Sequence, residues 1–301
     1  MMTDLAGYRG RITAVYPHLA FNNVKTNDEG MINRVIIVDD AWVFRFPRND
    51  DWATADLENE ARSLSLARRY LDMALPDMTL HHDEQGLFAA YRFISGRPLQ
   101  RHHIFSLSTA AQDRLAEQLA RFLRQLHTIP AEEVVSHNIP QSLTNRTQEK
   151  WEMLYADVKS ELFPLLMGYA KEWVEYHFAP VLADPGWMAY DPCFMNGDLG
   201  PYHLLYNPKT RLLNGIIDFG TAGIGDPACD FACIMNQYGE SFLQRMMVYY
   251  PEIEPALDRA RFWAGTLELQ WLLGGLRSGD NSWFGVHLGR GMDRLPYGAN
   301  A

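Results

Sequence analysis

The segment from Met195 to Phe231 leaves this chain few architectures to choose from. It holds Asn196-Gly197-Asp198-Leu199-Gly200-Pro201-Tyr202-His203, then Gly215-Ile216-Ile217-Asp218-Phe219-Gly220, then Asp226-Pro227-Ala228-Cys229-Asp230. Asp198 precedes a potential metal ligand, His203, by five positions, and a second carboxylate, Asp218, ends a short apolar run twenty positions after the first. An Asp-Phe-Gly alone arises often by chance. Behind a paired Asp and His at this distance it carries information. Phosphoryl transfer to a hydroxyl needs these parts: a carboxylate that orients the hydroxyl, and ligands that hold Mg²⁺ against the phosphates.

The same stretch resembles the aminoglycoside phosphotransferase and choline kinase family, relatives of the protein kinases. That family's loop runs His-Gly-Asp-Leu-x-x-x-Asn, with Asp-Phe-Gly and Asp-Pro-x-x-Asp downstream. The resemblance implies that Asp198 acts at the acceptor hydroxyl and that His203 and Asp218 hold Mg²⁺. It implies that Asp226 and Asp230 brace the catalytic loop. Two positions depart from the pattern. Asn196 replaces the usual His, mainly a buttress of the loop, and His203 replaces the usual Asn ligand. The gentamicin-modifying 2″-phosphotransferases also carry His there, which points towards that branch. The resemblance extends over most of the chain, but its specific motifs lie in Asn196–Asp230.

At 301 residues the chain can hold two unequal lobes that share a cleft, and 47% hydrophobic content is ample for their cores. A net charge of -10 argues against nucleic acid as a partner, because phosphate backbones need basic patches. Cys193, Cys229 and Cys233 show no zinc spacing, and reduced thiols of a cytoplasmic enzyme are expected. Cys229 and Cys233 stand one helical turn apart, as small core residues do. The first residues lack a signal-peptide apolar core, and no apolar run is long enough to cross a membrane.

Taken in order, the sequence predicts a helix over Thr3–Tyr16, strands over Phe21–Val24, Val35–Val38 and Trp42–Phe46, and a tight turn at Asp39-Asp40. Alternation in the third strand sets Trp42, Phe44 and Phe46 on one face, Val43 and Arg45 on the other. The family places a phosphate-gripping lysine on this strand, and Arg45 stands at its place. A solvated strand arginine is the plainer reading of Arg45 alone. The next helix, Ala53–Leu71, changes that. Glu60 sits on its apolar stripe beside Leu57 and Leu64, where a lone carboxylate is costly to bury. An Arg45–Glu60 ion pair satisfies both charges and matches the kinase strand-to-helix pair. Thr26–Asn33, at the place of a nucleotide-covering loop, has a single glycine, Gly30. It reads equally as an ordinary polar turn or as a loop whose N–H groups and Asn33 meet phosphates.

Strands over Met78–His82 and Leu87–Ile94 flank a turn at Asp83–Gly86. The run from Tyr91 to Pro98 resembles the family's hinge, so the main chain of Arg92, Phe93 and Ile94 is expected at the purine. His81, His82, His102 and His103 show no metal pattern and read as surface residues. Beyond the hinge, helices are predicted over Ser108–His127, with Ser108 as N-cap, over Arg146–Leu162 and Phe163–Leu182, and from Pro227 to Asn236. Trp263, Trp271, Trp283 and Phe284 read mostly as core, with one or two left for the acceptor pocket.

The expected fold is α+β, a protein-kinase-like pair of lobes. Residues 1–95 form a small antiparallel-sheet lobe for the nucleotide, and 96–301 a mostly helical catalytic lobe. The expected function is O-phosphorylation of a hydroxyl-bearing small molecule by ATP or GTP with Mg²⁺, in a monomer or weak dimer. An aminoglycoside antibiotic is the first acceptor expected. Yet the places where the 2″-phosphotransferases put acids hold Thr221 and Asn236-Gln237-Tyr238, with Glu240 alone nearby. Tyr238-Gly239-Glu240 also resembles macrolide and viomycin kinases. A metabolite kinase for choline, a sugar or a homoserine-like alcohol stays open, as does a binding-only pseudoenzyme.

Overall fold

In the computed structural model, which describes residues 5–27, 32–48 and 51–279, the chain begins with α1 (Leu5–Val15). Then come β1 (Val24–Asn27), β2 (Asn33–Val38), β3 (Trp42–Pro47), α2 (Asp51–Ala67), β4 (Thr79–Asp83) and β5 (Gly86–Arg92). The five strands form one antiparallel sheet in the order β1-β2-β3-β5-β4. Alternation in β3 divides the sheet as expected. Phe44 and Phe46 pack with Ile12, Ile36, Val38 and Phe88 beneath α1, while Arg45 turns to α2. The first strand lies three residues later than expected. Phe21 adopts a left-handed backbone (φ 55°), which delays extended structure to Val24. Of the four paired histidines, His81 and His103 are half-buried, not surface residues: His81 meets the Tyr16 hydroxyl at 2.9 Å, and His103 stacks on Tyr206.

The second part contains β6 (Arg97–Pro98), α3 (Arg101–Phe105), α4 (Thr109–His127), α5 (Ala131–Ser136), α6 (Gln148–Asp157) and α7 (Gly168–Ala183). After them come β7 (Cys193–Met195), β8 (Leu204–Asn207), β9 (Leu212–Ile216), β10 (Gly223–Gly225), α8 (Ala228–Tyr238), α9 (Glu240–Met247) and α10 (Leu257–Ser278). The α4 stripe of Leu115, Leu119, Phe122, Leu123 and Leu126 is fully buried. Ser108 occupies the N-cap position without bonding the helix through its side chain. The expected helix over Phe163–Leu182 starts only at Gly168: Pro164 lies in a separate 3₁₀ turn, since its ring cannot continue the preceding helix. Two small sheets, β7 with β10 and β6-β8-β9, flank the turns that carry Asp198 and Asp218. Among the described residues no helix is long and apolar enough to cross a membrane.

Candidate active site

The turn from β7 to β8 is a cage for Asp198. Gly197 has a left-handed backbone (φ 83°), and a Cβ there would lie 2.6 Å from Thr144 Oγ1, so the turn requires glycine. Asp230, wholly buried at the start of α8, accepts from Asn196 N–H (3.0 Å), Gly197 N–H (2.7 Å) and His127 Nε2 (3.0 Å). A carboxylate only accepts, so His127 donates from Nε2 and takes the Tyr250 hydroxyl on Nδ1 at 3.1 Å. Asp226 caps α8 through Ala228 N–H and pairs bidentately with Arg259 (3.1 and 3.2 Å). Both of its oxygens are engaged.

Asp198, His203 and Asp218 converge across this cage. The His203 ring lies with Nδ1 2.7 Å from the Asp198 carbonyl, which makes Nδ1–H the donor and leaves the Nε2 lone pair free. That Nε2 is 3.4 Å from Asp218 Oδ2. The pair fits Mg²⁺, whose adjacent ligands at bonds of about 2.1 Å lie near this separation. Among the described residues no three His, Cys, Asp or Glu form a metal cluster, so phosphate oxygens and water would fill the remaining positions. Burial works to lower the His203 pKa, but the carboxylates of Asp218 and Asp198 outweigh it and raise it. Protonation and metal binding therefore compete at this ring. Burial works to raise Asp218, yet Arg45 and His203 bring it below the usual carboxylate range. For Asp198, desolvation raises the carboxyl, His203 opposes, and Asp218 and Asp230 add to the rise. Its side chain is still 54% exposed, open to an incoming hydroxyl.

Arg45 and Glu60 meet as expected: Arg45 Nη1 donates to Glu60 Oε1 at 2.6 Å, the carboxylate fully buried. The same oxygen takes Phe219 N–H at 3.3 Å, so the pair reaches the segment that carries Asp218. Burial pushes Glu60 up to about 7 although Arg45 pulls it down, while Arg45 itself is held charged above its ordinary range. The short bond to a permanent cation argues for the ionised pair. At the hinge, Arg92 lies over the Trp42 ring at 4.1 Å, and Phe93 gives its N–H to the Ala41 carbonyl at 2.9 Å. The Phe93 N–H is thus spent on the protein's own main chain. Ile94 follows it, packed towards Gly215.

Sequence reasoning missed several neighbours. Asn59 Nδ2 bonds the carbonyls of Gly220 (3.3 Å) and Ala222 (3.2 Å), docking α2 on the Asp218 segment. Its signal was present, a further polar residue on a buried helix face beside Glu60. A cavity of about 240 Å³ opens beside Asp198, walled by Thr144, Thr221, Asn236, Gln237, Gln270 and Trp271. Of the tryptophans singled out, Trp271 lines this cavity, Trp263 lies in the core, and Trp283 and Phe284 fall outside the described residues. Glu240 does not line this cavity; it pairs with Arg261.

An antiparallel-sheet lobe followed by a helical portion, with Asp198, His203 and Asp218 drawn together, is a kinase-like arrangement. The phosphotransferase enzyme family matches residues 23–263, and the chain belongs to it. It is 29% identical to wild-type aminoglycoside 2′-phosphotransferase-IIIa in its GDP complex, over 95% of this chain and 96% of that one, with a TM-score of 0.85. The GDP and kanamycin complex of that type is 28% identical over 94% and 96% of the chains, with a TM-score of 0.83. Viomycin phosphotransferase of Streptomyces vinaceus is 30% identical over 62% of this chain; the match spans 63% of that protein's length.

Proposed function

We propose that this protein moves the γ-phosphate of ATP or GTP to a hydroxyl of a small antibiotic. In this reading residues 1–95 carry the nucleotide through Arg45, Glu60 and the Arg92–Ile94 main chain. Residues 96–301 carry Asp198, His203, Asp218 and the acceptor. The observation that supports it most is the His203 ring, tethered at Nδ1 so that Nε2 faces Asp218. Mg²⁺, when bound between His203 and Asp218, supplies charge neutralisation at the phosphates. Arg45 adds a fixed positive charge beside it. Asp198 orients the acceptor hydroxyl and takes its proton late, since positioning matters more than basicity in a loose transition state. The acceptor oxygen bonds to the γ-phosphorus as the bond to the bridging oxygen breaks. The electron pair leaves with the nucleoside diphosphate, and the proton passes from Asp198 to water.

Similarity to the GDP and kanamycin complex supports an aminoglycoside acceptor. The cavity supports a second reading, a macrolide, since of its lining residues Asp198 is the one charged group, while the likeness to viomycin phosphotransferase supports a viomycin-type acceptor. The test is transfer of labelled γ-phosphate from ATP and from GTP to kanamycin, gentamicin, viomycin and erythromycin. Transfer to at least one, lost in Asp198→Ala, is expected. Nucleotide binding without transfer to any hydroxyl acceptor, in this panel or among choline and sugars, would return the protein to the binding-only class.

A further inference from the structure

The acceptor cavity has a wall whose hydrogen-bonding polarity is set from behind. Gln270 lines it from α10, next to Trp271. Gln270 Oε1 accepts from Arg146 Nη2 at 2.6 Å. A guanidinium only donates, so this bond determines which end of the amide is which. The other end, Nε2, is buried and has no partner among the described residues. Arg146 stands over the Trp151 ring at 5.5 Å, and its polar partner among those residues is the Gln270 amide oxygen rather than a carboxylate. A second cavity, of about 250 Å³, shares Gln270 and is walled by Arg146, Lys150 and Arg277. Asp157 lines it too and, with Glu161, pairs with Arg277, so the positive charge behind the neutral face of α10 is that of Arg146 and Lys150.

We propose that Gln270, oriented by Arg146, is a specificity-determining group for the acceptor: it selects a molecule that turns an uncharged oxygen towards α10 and rejects one that turns an ammonium there. This rests on the phosphotransferase reading above and narrows its acceptor. An unpartnered buried N–H costs free energy until an acceptor atom meets it, and a carbonyl, ether or hydroxyl oxygen does so. An ammonium brings only donors and a charge of the same sign as Arg146. A polyhydroxyl or carbonyl-rich antibiotic with few amines satisfies the wall. A polycation does not.

Calorimetric titration of kanamycin and erythromycin, at two ionic strengths, tests this on the whole chain: wild type, Arg146→Gln, and Arg146→Gln/Gln270→Glu. Erythromycin is expected to bind wild type more tightly. Kanamycin affinity should rise about threefold in Arg146→Gln and about tenfold or more in the double variant, with a steeper salt dependence. Erythromycin should weaken in the double variant, because the carboxylate offers no donor. Circular dichroism establishes that each variant is folded; if Arg146→Gln is not, Gln270→Leu in its place should weaken erythromycin and leave kanamycin unchanged. Wild type that prefers kanamycin, a folded double variant with unaltered kanamycin affinity, or no binding of either molecule to any of the proteins overturns the assignment. Titration needs no turnover, so a failed transfer assay counts against the phosphotransferase reading alone.

Discussion

Asp230→Asn isolates the brace of the catalytic loop. In the native site Oδ1 takes Gly197 N–H, and Oδ2 takes both Asn196 N–H and His127 Nε2–H. A carboxamide has one oxygen. If that oxygen stays on Gly197, an NH₂ group faces two donors. Hydrogen bonds to a charged acceptor contribute about 1.5–3 kcal/mol each, so losing two would cost about 3–6 kcal/mol. His127 can recover one: with its proton on Nδ1, towards the Tyr250 hydroxyl, Nε2 accepts from the new NH₂. A net loss of about 2–4 kcal/mol remains. Urea unfolding at neutral pH, read as a shift in midpoint at constant slope, measures it. Turnover should fall in the same variant, because Asp198 lies one residue from Gly197. A loss below about 1 kcal/mol would refute the reasoning, showing that the two amides find other partners or never depended on Asp230.

Asp198→Ala should lower turnover by about a hundred- to ten-thousand-fold, with nucleotide affinity and unfolding midpoint nearly unchanged; turnover within a few-fold of wild type would remove Asp198 from the reaction. Asp218→Asn should raise the Mg²⁺ requirement and cut turnover far more than His203→Asn, which restores the ligand type expected of the family; magnesium titrations of both variants check the order. His177, stacked between Trp173 and Phe262, has its pKa lowered by burial, although its bond to the Phe262 carbonyl opposes this. The folded state therefore binds fewer protons, and stability present above the ordinary 6.5 is lost as pH falls through the window below it. Urea midpoints across that window should decline less steeply in His177→Asn, and an unchanged slope would discount the ring.

What could be read from sequence here had a local physical signature. The Arg45–Glu60 pair was legible because a carboxylate on an apolar helix stripe needs a partner, and the kinase resemblance pointed to the strand residue that supplies it. The β5 hairpin was legible from its turn, where Gly86 adopts φ 106°. Asp230 was different. Nothing local separates it from any acid in the first turn of a helix, and its bracing role came through the resemblance. Arg146 and Gln270 lay beyond both routes, because they are 124 residues apart and share no periodicity. Only the packing of α10 against the segment before α6 brings them together. The start of β1 escaped because Phe21 adopts a left-handed backbone that side-chain pattern does not reveal.

Asn196 shows why departure from a pattern need not mean loss of chemistry. The resembled family's loop opens with His, and Asn stands there instead. The residue is fully buried and its amide spans the two carboxylate-bearing segments. Oδ1 accepts from Asp198 N–H at 3.0 Å, and Nδ2 donates to the Asp218 carbonyl at 2.8 Å. Its own N–H goes to Asp230, and its carbonyl takes the Thr221 hydroxyl at 2.9 Å. Each such bond contributes about 0.5–1.5 kcal/mol net, but leaving one unmade in a buried site costs more. The arrangement therefore holds the backbone under Asp198 in register with the backbone under Asp218, which is what a buttress of this loop has to do. An amide carries a donor and an acceptor at once, without depending on a ring tautomer. Asn196 thus makes, with one amide, the contacts by which a residue at this position can hold the loop.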